Sequence, residues 1–139
     1  MEGSALSSHY GSLASKTAVP WWAEPAVQDH VAEMVEKYLN LNSTSRLVDL
    51  GSGSGAFASL LWTRAGMEKQ VTCVEPSQEM LHRGASLPGL HPVYQRAEEW
   101  AEADRGKGEF DQILIKYAIH HFDRKRLPQT FEGIRSGFH

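Results

Sequence analysis

A single cysteine, Cys73, in 139 residues excludes an internal disulfide and a cysteine-built zinc site. It lies within the apolar run Val71-Thr72-Cys73-Val74, where the expected role of a thiol is that of a small core side chain. No apolar stretch approaches the roughly eighteen residues that cross a bilayer, and the first residues show neither the basic segment nor the apolar core of a secretory signal. A long basic run is also missing and the net charge is −3, so a nucleic-acid backbone finds no broad attraction. These absences remove membrane and nucleic acid as expected partners. A small-molecule partner in a reducing, cytoplasmic setting is the expectation that remains.

At 41% hydrophobic and 22% charged residues the composition is that of a globular chain able to build one core. The stretch that organises it is Leu47-Val48-Asp49-Leu50-Gly51-Ser52-Gly53-Ser54-Gly55-Ala56, which predicts a buried strand, a tight turn and a helix start. The apolar run has no polar alternation, as expected of a parallel strand covered on both faces. Glycines there allow positive φ and leave no Cβ between the main chain and a small ligand. No Gly-Lys-Ser/Thr follows, which excludes a P-loop. A dinucleotide fingerprint is matched only loosely, by Gly51, Gly53 and Ala56.

In chain order, residues 1–22 are rich in serine, glycine and alanine. They are expected to be either a mobile tail or a cover for the site, the aromatics Tyr10, Trp21 and Trp22 being the reason for the second reading. Glu24-Pro25 starts a helix with proline at its first position, and Val27, Val31, Met34, Val35 and Tyr38 form its predicted apolar stripe. A second helix follows the glycines and stops at Gly66. The run Val71–Val74 predicts a second strand ending at Glu75, about twenty residues beyond Gly55, where a carboxylate can accept hydrogen bonds from both hydroxyls of a ribose. Ser77 is a suitable N-cap for the helix after it. Leu87 to Pro92 reads as a turn, Val93-Tyr94-Gln95 as a third strand, and Arg96 to Trp100 as the start of another helix. Phe110 to Ile115 reads as a fourth strand, and Leu127, Phe131 and Ile134 as a last helical stripe.

Four features in this order resemble the class I S-adenosylmethionine-dependent methyltransferases of the type 11-like group. They are Asp49-x-Gly51-x-Gly53-x-Gly55; Glu75-Pro76-Ser77-Gln78-Glu79-Met80-Leu81; the small-and-acidic pair Ala97-Glu98; and Phe110-Asp111 followed by an apolar run and Ala118-Ile119-His120-His121-Phe122. The resemblance covers about Glu24 to Ile134. It implies an α/β, Rossmann-like open parallel sheet in strand order 3-2-1-4 with helices on both faces. It also implies S-adenosyl-L-methionine as cofactor and methyl transfer to a small-molecule acceptor. By this resemblance Asp49, Gly51, Ser52, Gly53, Gly55, Glu75 and Pro76 hold the cofactor, Ala97 and Glu98 cradle its adenine, and Lys116 and Tyr117 lie beside its methionine part. Arg96 stands where many members carry an acidic residue.

No metal is expected: His120 and His121 are adjacent, so their side chains diverge, and no ligand spacing accompanies them. Either could act as a general base, since imidazole titrates near neutrality, and Tyr10 is a third catalytic candidate. Complete members of the family continue past the last helix with a glycine turn, a fifth strand and an antiparallel hairpin, whereas this sequence stops at Ser136-Gly137-Phe138-His139. The expectation is therefore a partial domain over 23–139. It should bind the cofactor, show little turnover alone and self-associate through the edge of its fourth strand. A truncated, non-catalytic binding product is the alternative.

Overall fold

The structure is a computed structural model that describes residues 24–103 and 109–115 and positions 125, 128, 129 and 132. Its elements are α1 (Pro25–Leu39), β1 (Leu47–Leu50), α2 (Ala56–Ala65), β2 (Val71–Glu75), α3 (Gln78–Arg83), β3 (Leu90–Tyr94), α4 (Ala97–Glu102) and β4 (Gln112–Ile115). The four strands are parallel in the order β3-β2-β1-β4, as the resemblance implied. Residues 1–23, residues 104–108 and the stripe of Leu127, Phe131 and Ile134 lie outside the described residues.

Successive side chains of a strand point to opposite faces, and the two sides of the sheet carry separate cores. On one side Leu47, Val71 and Cys73 pack with Ala32, Phe57, Ala58 and Leu61 from α1 and α2. On the other, Val48, Leu50 and Val74 pack with Ala97, Trp100 and Ala101 from α4, and Trp100 meets Phe110 edge-on with centroids 5.6 Å apart. Every residue of β1 and β2 is buried, which is why these strands read as continuous apolar runs. Full burial of Leu47, Leu50 and Leu61 contributes about 1.5–3 kcal/mol for each side chain.

Local chemistry sets the ends of the elements. Pro25 occupies the first turn of α1, and Asn40 closes it in the left-handed region at φ 53°, a conformation asparagine tolerates. Asn42 and Ser45 then fix the loop into β1: Ser45 Oγ accepts from the Asn42 N–H at 2.9 Å, and Asn42 Oδ1 accepts from the Thr44 N–H at 2.9 Å. Gly66 ends α2 at φ 63°.

Two sequence expectations need correction. Met34 and Tyr38 are exposed, at 58% and 90%, and the face of α1 that packs inward is Val31, Ala32, Val35 and Leu39. The true stripe is rotated by about one residue, because Ala32 and Leu39 point at α2 and the sheet while the larger Tyr38 does not. Leu90, His91 and Pro92 are not a turn but the first part of β3. The Gln95 N–H donates to Glu75 O at 3.2 Å, so odd-numbered residues turn their N–H toward β2 and Pro92 faces the outer edge. There proline's missing donor interrupts no ladder.

Candidate functional site

All four strands run the same way, so the carboxyl ends of β1, β2 and β3 deliver the glycine turn, Glu75 and the segment 95–98 to one edge of the sheet. The turn folds back on β2: the N–H groups of Gly51 and Ser52 both donate to Val74 O, at 2.7 and 3.2 Å. Gly51, Gly53 and Gly55 have φ of 76°, 62° and 86°, a region that only glycine enters without strain.

The centre of the site is Glu75. Its Oε1 accepts from the Gly53 N–H at 2.8 Å and its Oε2 from the Ser77 N–H at 2.9 Å. The residue is only 7% exposed, and this desolvation holds its carboxyl above the ordinary carboxylate range, although the Gly53 and Ser77 hydrogen bonds oppose the shift. Pro76 lies between the two anchored positions, and Ser77 caps α3 by accepting from the Met80 N–H at 3.3 Å. A carboxylate oxygen has two acceptor sites, so the two backbone N–H groups leave one acceptor site on each oxygen of Glu75.

The other residues expected at the site have different surroundings. Asp49 is buried in β1, opposite Cys73 of β2 and Leu114 of β4. Burial and the Asp49 charge push the Cys73 thiol up to about 12, against a smaller opposing effect of Ser52. Gly55 caps α2, and a Cβ there would lie 2.5 Å from Leu90 Cδ1 and 3.6 Å from Cys73 Sγ. Its bare backbone is thus demanded by the core as well as by the turn. Ala97 and Glu98 are buried at the start of α4, and Glu98 Oε2 accepts from Arg96 Nη2 at 3.0 Å. Arg96, the departure from the family pattern, therefore neutralises a carboxylate that would be costly to bury alone. Tyr10, Lys116, Tyr117, His120 and His121 lie outside the described residues.

Sequence reasoning missed two residues beside the turn, Met80 and Gly84, and one just beyond β3, Gln95. Met80 of α3 lies with its Cε 3.3 Å from where a Cβ on Gly53 would be, and Gly84 abuts Ser54. Gln95 Oε1 is buried with no hydrogen-bond partner among the described residues. The position of Gln95 directly after β3 was the available signal. Nothing in the spacing of Met80 or Gly84 distinguishes a residue touching the turn from one on an ordinary helix. No group of histidine, cysteine and acidic side chains suited to a metal occurs among the described residues, and no helix among them is long and apolar enough to cross a membrane.

A family model described as a methyltransferase domain matches residues 47–137. No curated protein gives a significant sequence match. Among solved structures, the fold is similar to that of a SAM-dependent methyltransferase from Leishmania major, at 16% identity and a TM-score of 0.75 over 97% of this chain and 56% of that one. It is similar to DhpI in complex with SAH, at 21% identity and a TM-score of 0.69 over 98% and 63%. It also resembles a SAM-dependent methyltransferase from Archaeoglobus fulgidus, at 21% identity and a TM-score of 0.62 over 80% and 48%. The chain thus spans roughly half to under two thirds of the length of these structures.

Proposed function

Because the chain belongs to the methyltransferase domain family, whose model spans its residues 47–137, we propose that it holds S-adenosylmethionine over the carboxyl ends of its strands and directs methyl transfer to a small-molecule acceptor. The observation that carries this reading is the double anchoring of Glu75, which orients both carboxylate oxygens with one acceptor site each to spare. Paired 2′ and 3′ hydroxyls of a ribose are the donors that fit such a carboxylate. A 2′-phosphate would be repelled by it, which disfavours NADP.

Two further residues support this reading. Gly53 carries no side chain of its own at the turn, Met80 lying where one would start, and Ala97 is a small residue at the next strand end. The methyl group of S-adenosylmethionine is electrophilic because it sits on a sulfonium. The chain's own tasks are then to fix the nucleoside through Glu75 and the turn, to hold the acceptor in line, and to take a proton from it where needed. His120 and His121 are the candidates for that last task. The net charge of −3 and the lack of a basic run support a small molecule over a nucleic acid as acceptor.

Calorimetric titration with S-adenosylhomocysteine and, separately, with NAD tests the reading. Tighter binding of S-adenosylhomocysteine is expected. Tighter binding of NAD overturns it.

A further inference from the structure

The glycine turn is held from behind by the segment that follows β2. Gly84 closes α3 with φ −95° and ψ 7°, values that ordinary residues adopt in turns, so backbone conformation does not demand glycine here. Space does. A Cβ on Gly84 would run into the carbonyl oxygen of Ser54 and lie 2.8 Å from its carbonyl carbon. Ser54 sits between Gly53 and Gly55, so the end of α3 rests main chain against main chain on the turn itself.

Two further contacts tie the same segment to the same turn. Met80 Cε lies 3.3 Å from the Cβ position of Gly53. At the other end of α3, the Ser77 N–H donates to the Glu75 oxygen opposite the one that takes the Gly53 N–H. We propose that Gly84 is a positioning residue for the cofactor turn, and that its missing side chain lets α3 seat Ser54, Gly53 and Glu75 in binding geometry. The proposal rests on the cofactor site proposed above.

A methyl group at 84 must displace either the turn or α3. If the turn yields, Ser54 carries Gly53 away from Glu75. If α3 yields, Met80 and Ser77 move and Glu75 loses its second anchor. A cleft of about 380 Å³ lies beside the contact, lined by Ser54, Leu81, Gly84, Ala85, Leu90 and Tyr94 among others.

The test compares Gly84→Ala and Gly84→Val with Gly89→Ala, whose new Cβ would meet the Trp62 ring instead of the turn. S-adenosylhomocysteine affinity is read by calorimetry, stability by thermal melting, and the Gly53 amide by hydrogen exchange in the ligand-free protein. A displacement of this size at a binding constellation should weaken affinity about tenfold for alanine and further for valine, with faster exchange at Gly53. Gly89→Ala should lower the melting temperature and leave affinity unchanged. A folded Gly84→Ala protein with wild-type affinity and wild-type Gly53 exchange overturns the proposal. Should both Gly84 variants fail to fold, Met80→Ala decides: faster Gly53 exchange supports the seating role, and unchanged exchange overturns it. A wild-type protein that does not bind S-adenosylhomocysteine overturns the cofactor site, while Gly53 exchange still decides whether Gly84 positions the turn.

Discussion

The backbone N–H of Gly53 donates to Glu75 Oε1 over 2.8 Å, so the turn after β1 and the tip of β2 are joined through the side chain proposed to hold the ribose. Structure and binding therefore depend on one carboxylate.

That carboxylate makes binding depend on pH. Burial raises the Glu75 carboxyl above its ordinary value, and the ionised form is the one that accepts from ribose hydroxyls. Affinity for S-adenosylhomocysteine should fall on acidification, starting above the usual carboxylate range, and calorimetry at stepped pH measures this. Stability of the ligand-free protein carries the opposite sign: for a group whose folded pKa is raised, the contribution is full below the unfolded value and is lost as pH rises through the folded value. Affinity that stays flat throughout that window contradicts the role given to Glu75.

Gly53→Val should abolish cofactor binding while the far-ultraviolet circular dichroism keeps its native form. Position 53 requires φ 62°, and the new Cβ would press on Met80 Cε at 3.3 Å. A β-branched residue in that conformation costs about 1–2 kcal/mol, which displaces the turn without dismantling the sheet. An unfolded variant would assign the glycine chiefly to the fold.

Gly55→Ala should act on stability first. Its methyl group meets Leu90 Cδ1 at 2.5 Å on a backbone at φ 86°, so strain and overpacking together should cost about 2–4 kcal/mol in denaturant unfolding. Adding Leu90→Ala should make the double variant more stable than the sum of the two single losses implies. Strict additivity would show that the two positions do not touch.

Cys73 should be inert in the folded protein. With its thiol pushed up to about 12 by burial and by Asp49, it should resist a thiol reagent at mildly alkaline pH and react once the chain is denatured. Rapid labelling of the native protein would contradict the packing of β2.

Much of this architecture was legible because its signals are local and strong. Two fully buried strands left apolar runs at Leu47–Leu50 and Val71–Val74, three glycines marked the turn after the first of them, and Ser77 marked the helix after the second. Glu75 was readable from its distance beyond the glycines. Less legible was whatever depends on which neighbour a residue meets. Tyr38 fits a helical stripe by spacing, yet α1 is rotated so that Leu39 packs instead. Pro92 looks like a turn former until the outward direction of its nitrogen on an edge strand is known. Arg96 looked like a departure from the family pattern, and only the fold shows it paired with buried Glu98. Gly84 resembles an ordinary helix cap until Ser54 is placed against it.

The most direct test of the account is the affinity of Glu75→Ala for S-adenosylhomocysteine, measured by calorimetry on protein verified as folded. Two hydrogen bonds from ribose hydroxyls to a charged acceptor contribute about 1.5–3 kcal/mol each, so affinity should fall by roughly a hundredfold or more. An affinity equal to that of the unaltered protein would contradict the assignment of Glu75, and with it the proposed cofactor site.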